Sequence, residues 1–153
     1  ATGLVQVALD LARPLAAAED VTLQTSAAPA LPLVRADRQR AVQVLHNLVV
    51  NAVQHGGHES TVEVRTHAAR LHDAPAVEFL VLDRGRGFSD GDEARVFEPF
   101  FSRRRGGTGM GLALAHRLVH DHGGEIVAAN REGGGACLRV VLPAAGDGER
   151  VIR

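Results

Sequence analysis

Two kinds of hydrophobic spacing alternate along the 153-residue chain, and their order restricts its fold more than any other feature. Helical spacing occurs in three segments, residues 3–18, 38–55 and 108–124. Strand-like alternation or short apolar runs occur in residues 21–26, 31–36, 60–70, 76–83, 125–130 and 136–143. This order predicts an α+β fold, a two-layer α/β sandwich with a mixed, mostly antiparallel sheet and helices on one face.

Local signals refine these boundaries. Asp37 is a suitable N-cap for the second helix, Gly123 a suitable end for the third, and Pro14 predicts a kink in the first. The strand over residues 76–83 is apolar on both faces toward its end, which predicts a central position. Periodicity disappears over residues 84–107, as is typical of lids and binding loops. We predict one domain over residues 1–145 and a polar tail over 146–153.

Composition excludes several functions. The net charge of −1 offers no electrostatic footprint for nucleic acid or an anionic membrane surface, and no apolar run reaches the roughly 20 residues of a membrane span. The single cysteine, Cys137, agrees with a reducing compartment such as the cytoplasm. All 17 basic residues are Arg, so the Lys of Walker-type phosphate loops and of eukaryotic-type protein kinases is missing.

The segment "NLVVNAVQHGG", residues 47–57, carries a polar stripe beside its apolar one. Asn47, Asn51 and His55 follow each other at four-residue intervals and share a helix face. Asn is a poor residue for a helix interior, but its carbonyl oxygen can ligate a hard cation such as Mg²⁺. A solvated polar face remains the alternative interpretation.

The segment "DRGRGF", residues 83–88, follows the predicted central strand. Asp83 at the strand end could accept a hydrogen bond from an exocyclic amine such as that of adenine, and Gly85 and Gly87 would let a flat ring approach the backbone. An ordinary turn is the alternative, because Asp and Gly are common turn residues.

The segment "GGTGMGLAL", residues 106–114, places Gly107, Gly109 and Gly111 at the start of a helix. Free backbone N–H groups there can bind an anion, although a glycine-rich helix entry explains the pattern equally simply. A dinucleotide-binding fold is not predicted, because a loop rich in Phe and Arg, not a strand, comes directly before it.

Four segments, "NLVVNAVQHG", "DRGRGF", "FEPFFS" and "GGTGMGLALAHRLVHDHGGEI", occur in this order. They resemble the N, G1, F and G2 boxes of the ATP-binding catalytic domain of sensor histidine kinases. That domain is related to the gyrase, heat-shock-90 and mismatch-repair ATPases. The resemblance extends from about Leu4 to Pro143, and "RADRQRAVQVLHNL" and "GGGACLRVVLP" also fit it.

The resemblance implies ATP and Mg²⁺ as ligands and assigns residues to them. Asn51 matches the metal-binding Asn and Asn47 a second Asn that helps to hold metal and phosphates, while Asp83 matches the residue that reads adenine. The implied ATP site is completed by His55, Gly85, Gly87, Thr108, Gly109, Met110, Gly111 and Leu112. Relatives that hydrolyse ATP carry a Glu base at position 47, and Asn cannot take a proton.

The chain also departs from the family pattern. Gln54 stands where the family often has Lys or Arg, and His55 replaces a frequent Tyr. Ala136 and Cys137 stand where a hydroxyl residue usually contacts the adenine region. These departures bear on nucleotide affinity. Residues 103–105, all Arg, could bring charge to the phosphates or form a solvated loop.

The resemblance further implies partners. Phe97, Phe100 and Phe101 lie in the irregular segment, and the family pattern implies that they contact the helical dimerisation and phosphoacceptor domain of the same kinase; anchoring of the lid is the alternative. No His in the chain fits the phosphoacceptor pattern, so the resemblance places that domain, the sensor and any membrane span before Ala1. The phosphoryl group would pass to a response regulator, with no nucleic acid and no direct membrane contact. A nucleotide-gated interaction module and an anti-sigma-type serine kinase remain as alternatives.

Overall fold

Apart from the strand predicted over residues 31–36, the predicted order of helices and strands is present in the computed structural model, which describes residues 1–102 and 109–146. The elements within this described part are α1 (Thr2–Ala18), β1 (Thr22–Ala27), α2 (Arg38–His55), β2 (Thr61–Leu71), β3 (Ala74–Leu82), a 3₁₀ helix (Asp92–Ala94), α3 (Gly111–Asp121), β4 (Glu125–Asn130) and β5 (Ala136–Pro143). The predicted α+β class is confirmed. Of the predicted tail, residues 147–153 lie outside the described residues.

The sheet has the strand order β1-β2-β3-β5-β4. Among the described strands, β1 and β2 run parallel and the other neighbouring pairs are antiparallel, so the sheet is mixed and mostly antiparallel as predicted. β3 occupies the middle of the sheet, and Phe79 at its centre is paired with Thr66 on one side and Val140 on the other. This confirms the central position predicted from the apolar character of the strand.

The three helices and one face of the sheet enclose the hydrophobic core. Phe79 has no exposed surface, and its neighbours Val64 and Val140 on the adjacent strands are buried with it. Alternate residues of the same strands point to the other face, where Glu78 and Arg139 form an ion pair. The side of the sheet away from the helices is therefore partly polar.

α2 begins and ends where its sequence signals predict. The side chain of Asp37 accepts a hydrogen bond from the backbone N–H of Arg40 at 2.9 Å, as an N-cap residue does, and the helix ends at His55 before Gly56. Its apolar stripe, which includes Leu45 and Leu48, is buried in the core. Burial of this stripe leaves the side with Asn47 and Asn51 as a wall of the space beside the sheet.

The strand predicted over residues 31–36 is wrong. Only Val34 forms an isolated bridge there, to Ala144. Pro32 has no N–H to donate to a ladder, which prevents a continuous strand in this segment. Among its described residues, the irregular segment contains one element that was not predicted, the 3₁₀ helix at Asp92–Ala94.

The glycine signals agree with the structure at the end of α3 and differ from it at the beginning of that helix. α1 continues past Pro14 to Ala18. Gly123 follows the end of α3 with a φ of +70°, a conformation that glycine adopts without strain. α3 itself begins at Gly111, later than the pattern starting at residue 108 suggests. Among the described residues, no helix is long and apolar enough to cross a membrane.

Candidate functional site

An open cleft of about 1030 Å³ lies between α2, the loop after β3 and the start of α3. The predicted site residues that line it are Asn47, Asn51, His55, Asp83, Gly85, Gly87, Phe101, Gly109, Gly111 and Leu112. Met110, Phe97 and Phe100 do not line the cleft, and Thr108 lies outside the described residues. Arg84, Arg86 and Phe88 line it as well, although none of them was predicted as a site residue.

Asp83 is buried at the end of β3, with only 3% of its surface exposed. Its Oδ1 atom accepts hydrogen bonds from the backbone N–H groups of Gly85 at 2.9 Å and Ala136 at 3.0 Å. Its Oδ2 atom receives no hydrogen bond from the described residues, while the residue lines the cleft. The carboxylate therefore shapes the turn through one oxygen and offers the other to a ligand.

Glycine is needed at positions 85 and 87 for reasons that differ from the predicted approach of a flat ring. A Cβ atom at Gly85 would overlap the carbonyl oxygen of His55, at the end of α2. At Gly87, where φ is +75°, a Cβ atom would overlap the side-chain oxygen of Asn130. Contacts within the protein thus require both glycines, in addition to any approach of a flat ring.

Asn47 connects the two helices that flank the cleft. Its Nδ2 atom donates a hydrogen bond to the carbonyl oxygen of Gly111, the first residue of α3, at 3.1 Å. This leaves Oδ1 as an acceptor, as cation ligation would require. Asn51, one turn later, is half-buried, and its amide makes no hydrogen bond with the described residues. Both Asn side chains can therefore supply an oxygen to a cation in the cleft.

The three predicted Phe residues separate into two groups. The ring of Phe97 stacks on the ring of His116 in α3, with centroids 5.4 Å apart, and the guanidinium of Arg95 lies 4.7 Å from the ring centroid of Phe101. These two Phe side chains pack against the core and anchor the segment. Phe100 is 79% exposed and has a φ of +66°, a conformation that costs a non-glycine residue about 1–3 kcal/mol.

Sequence reasoning missed two residues that contact the loop after β3. The side-chain oxygen of Asn130 accepts a hydrogen bond from the backbone N–H of Phe88 at 2.6 Å, and the side-chain nitrogen of Asn130 donates one to the carbonyl of Phe88 at 2.9 Å. Arg131 donates a hydrogen bond to the carbonyl oxygen of Asp83 at 2.8 Å. No local signal could have found them, because 42 and 48 residues separate the partners.

Comparison with known proteins identifies the family of the chain. Residues 36–146 match the family described as "Histidine kinase-, DNA gyrase B-, and HSP90-like ATPase". The chain belongs to this ATPase family. It is 34% identical over 140 residues to the sensor histidine kinase ZraS of Escherichia coli strain K12, a match that covers 92% of the chain and 29% of ZraS. The chain thus spans less than a third of that relative's length.

Solved structures of the family have the same fold. The catalytic domain of histidine kinase ThkA, in a nucleotide-free form, superimposes with a TM-score of 0.81 at 26% identity, covering 94% of this chain and 91% of that one. Full-length ShkA in complex with AMPPNP is 31% identical, with a TM-score of 0.78, covering 94% of this chain and 30% of ShkA.

Of the departures from the family pattern, those at Gln54, His55 and Ala136 line the cleft. Ala136 lines it and has no polar side-chain atom, whereas Cys137 is not one of its lining residues. Burial raises the pKa of the Cys137 thiol, so the side chain is neutral near pH 7. The family member described here therefore has no side-chain hydroxyl at these two positions.

Proposed function

We propose that the chain is the catalytic, ATP-binding domain of a sensor histidine kinase, with its domain limits near residues 1–145. It binds ATP with Mg²⁺ in the cleft and presents the γ-phosphate to a His on a separate dimerisation and phosphoacceptor helical domain. That domain then supplies the phosphoryl group to an Asp of a response regulator. The observation that carries the proposal is the cleft itself, where the buried Asp83 and the half-buried Asn51 stand on facing elements.

The base of the nucleotide binds at the Asp83 end. The exocyclic amine of adenine donates to Oδ2, the oxygen that receives no hydrogen bond from the described residues. Guanine presents a carbonyl oxygen at the same place, and two acceptors repel each other. The site therefore selects adenine over guanine.

The phosphates and Mg²⁺ bind between α2 and the start of α3. The amide oxygens of Asn51 and Asn47 would hold the cation, since Mg²⁺ usually takes only one or two protein ligands. The bound cation supplies neutralisation of the phosphate charge during transfer. A Cβ atom at Gly111 would meet nothing within 4 Å, so the N-terminal backbone of α3 is accessible to phosphate groups.

Asn47 favours transfer to a protein over hydrolysis. An amide cannot accept the proton of an attacking water, and here its nitrogen is already donating to Gly111. Catalysis then rests on positioning the γ-phosphate and on charge neutralisation, which are the main contributions in phosphoryl transfer.

The helical domain contacts an apolar surface beside the cleft, formed by Phe100, Met110 and Leu114. Their exposed fractions are 79%, 43% and 36%. Phe100 donates its backbone N–H to the carbonyl of Gly109, and Leu114 donates its backbone N–H to the carbonyl of Met110, so backbone hydrogen bonds bring the three residues into one region of the surface. Exposed aromatic and Met side chains are enriched at contact surfaces.

We place this domain in the cytoplasm, where ATP is available, with a parent kinase whose remaining domains the chain does not include.

Calorimetry with ADP and a non-hydrolysable ATP analogue, with and without Mg²⁺, tests the binding step. We expect binding of both, and a stronger dependence on Mg²⁺ for the triphosphate. Absence of heat and of a thermal shift at saturating nucleotide would contradict the proposal.

Labelling with radioactive γ-phosphate tests the transfer step. The chain alone is expected to remain unlabelled and to label the helical domain of its parent kinase when that is added. The label should be acid-labile, as phosphohistidine is. An acid-stable label on the chain alone would favour the serine-kinase relatives instead.

A further inference from the structure

The loop over residues 83–88, here called the base loop, is held at its far end by the last residue of β4. The side chain of Asn130 accepts a hydrogen bond from the N–H of Phe88 at 2.6 Å and donates one to the carbonyl of Phe88 at 2.9 Å. A primary amide that makes both bonds reproduces the pairing of a neighbouring strand residue. The contact therefore adds a sheet-like pairing at the far end of a loop whose first residue, Asp83, donates its backbone N–H to the carbonyl of Ala136 in β5.

The turn over residues 131–135 holds the near end of the base loop. Arg131 donates from Nη1 to the carbonyl oxygen of Asp83 at 2.8 Å. The turn is closed by a hydrogen bond from the backbone N–H of Arg131 to the carbonyl of Gly135 at 2.8 Å. A Cβ atom at Gly135 would overlap the carbonyl oxygen of Asp83, so the turn backbone lies directly against the loop.

Close packing also restrains the contact between the base loop and Asn130. A Cβ atom at Gly87 would overlap the Oδ1 atom of Asn130, and Gly87 has a φ of +75°. The base loop can make both hydrogen bonds only because glycine stands at this position. Its own backbone N–H groups at Gly85 and Phe88 donate to side chains, those of Asp83 and Asn130. Beyond Asp83, whose backbone N–H still pairs with Ala136, side chains thus take the place of ladder hydrogen bonds in ordering the loop.

We propose that Asn130 and Arg131 are positioning residues for nucleotide recognition. They hold the two ends of the base loop, and with it the Oδ2 atom of Asp83, in the conformation that accepts an adenine amine. The inference rests on the proposed function, since it concerns how that site is built. Neither side chain needs to touch the nucleotide, because neither is among the residues that line the cleft.

The expected effect follows from the cost of ordering a loop. If the loop is released, a nucleotide has to order it on binding, and part of the binding free energy is lost. One net hydrogen bond corresponds to roughly a two- to tenfold change in an equilibrium constant. Two such bonds would multiply to about four- to a hundredfold, but Arg131 still holds the near end of the loop, so removal of both bonds to Phe88 should weaken ADP binding about fivefold to tenfold. A misplaced Oδ2 should also narrow the preference for ADP over GDP.

The test compares Asn130→Ala, Asn130→Asp and the control Glu132→Ala in the full chain. Asp keeps an acceptor for the Phe88 N–H and loses the donor to its carbonyl, whereas Glu132 is exposed in the same turn. Calorimetry gives the affinities for ADP and GDP, and amide hydrogen exchange reports on the Phe88 N–H without nucleotide. We expect faster Phe88 exchange and weaker, less selective binding in Asn130→Ala, intermediate values in Asn130→Asp, and wild-type values in Glu132→Ala.

Each outcome decides between the alternatives. A lower melting temperature for Asn130→Ala with unchanged ADP affinity and unchanged ADP-over-GDP preference would mean that Asn130 only stabilises the fold, and would overturn the inference. If Asn130→Ala does not fold, the same comparison is made on Asn130→Asp and Arg131→Lys. Failure of the wild-type chain to bind any nucleotide would overturn the proposed function itself. Normal wild-type binding with insensitive Asn130 variants overturns only the role of Asn130, and an insensitive Arg131→Lys overturns that of Arg131.

Discussion

Replacement of Asp83 by Asn separates the two roles that the structure gives to this side chain. Oδ1 accepts from two backbone N–H groups, those of Gly85 and Ala136, so the amide of Asp83→Asn is oriented with its oxygen toward them. The amide nitrogen then takes the place of Oδ2. The substitution thus keeps the turn and changes the acceptor that faces the cleft into a donor.

The size of the effect can be worked out for both roles. A hydrogen bond from the adenine amine to a carboxylate is charge-assisted and contributes about 1.5–3 kcal/mol, so its loss should weaken ATP binding roughly ten- to a hundredfold. The new donor matches the carbonyl of guanine, so the preference for ATP over GTP should narrow or reverse. The free energy of unfolding should fall by only about 1 kcal/mol, since the two backbone N–H groups then donate to a neutral amide oxygen and no longer to a carboxylate. Asp83→Ala leaves both N–H groups without this acceptor and should cost roughly 1–3 kcal/mol for each group that stays buried.

Calorimetry with ATP and GTP, together with thermal unfolding, measures both quantities on the same variants. Asp90→Asn is the matched control, because Asp90 is exposed in the segment beside the cleft and the change in charge is the same. We expect the control to keep wild-type affinity and selectivity. If Asp83→Asn prefers ATP as strongly as the wild type while its melting temperature falls, Asp83 is a turn residue and the reasoning is refuted.

Three further outcomes are expected. Asn51→Asp should lower the affinity for the Mg²⁺–triphosphate by at least about tenfold, because a carboxylate then faces the phosphates. Gln43→Ala, on the exposed side of α2, should keep the wild-type affinity. If Asn51→Asp also keeps it, the Asn stripe is a solvated face. Burial lowers the pKa of His46 below its ordinary value of 6.5, so folding favours the neutral ring. The free energy of unfolding should therefore keep this contribution above pH 6.5 and decrease as the pH drops toward the lowered pKa. Urea unfolding of His46→Gln should show a weaker decrease over the same pH range. Because burial raises the pKa of Cys137, a thiol reagent should modify it more slowly in the folded chain than in urea, and equal rates would contradict that burial.

The sequence predicts the fold well wherever local physics decides. The N-cap at Asp37 and the apolar stripe after it place α2 over the residues that the structure shows, because capping and helical periodicity act within a few residues. β4 and β5 likewise begin and end at their predicted limits. The segment with Pro32 is the exception: its apolar residues suggest a strand, but a strand also needs backbone donors and a neighbouring edge.

The contacts that shape the candidate site depend on distant parts of the chain. The motifs identify Gly85 and Gly87, yet the atoms that exclude a Cβ there belong to His55 and Asn130, on other elements. Asn130 itself looks like an ordinary strand-end residue in the sequence. Periodicity and turn rules concern neighbouring residues only, so they cannot show that its amide pairs with Phe88.

The hydrogen bond of Asn47 decides which substitution can report on the metal. Because Nδ2 donates to the carbonyl of Gly111, removing the Asn47 side chain would take away a proposed cation ligand and also release the first turn of α3 from α2. A loss of nucleotide binding in Asn47→Ala would therefore have two causes that affinity alone does not separate. The amide of Asn51 makes no hydrogen bond with the described residues, so its substitution alters only what the cleft offers to a ligand. Asn51 is for this reason the sharper probe of cation binding, although both residues lie on the same face of α2.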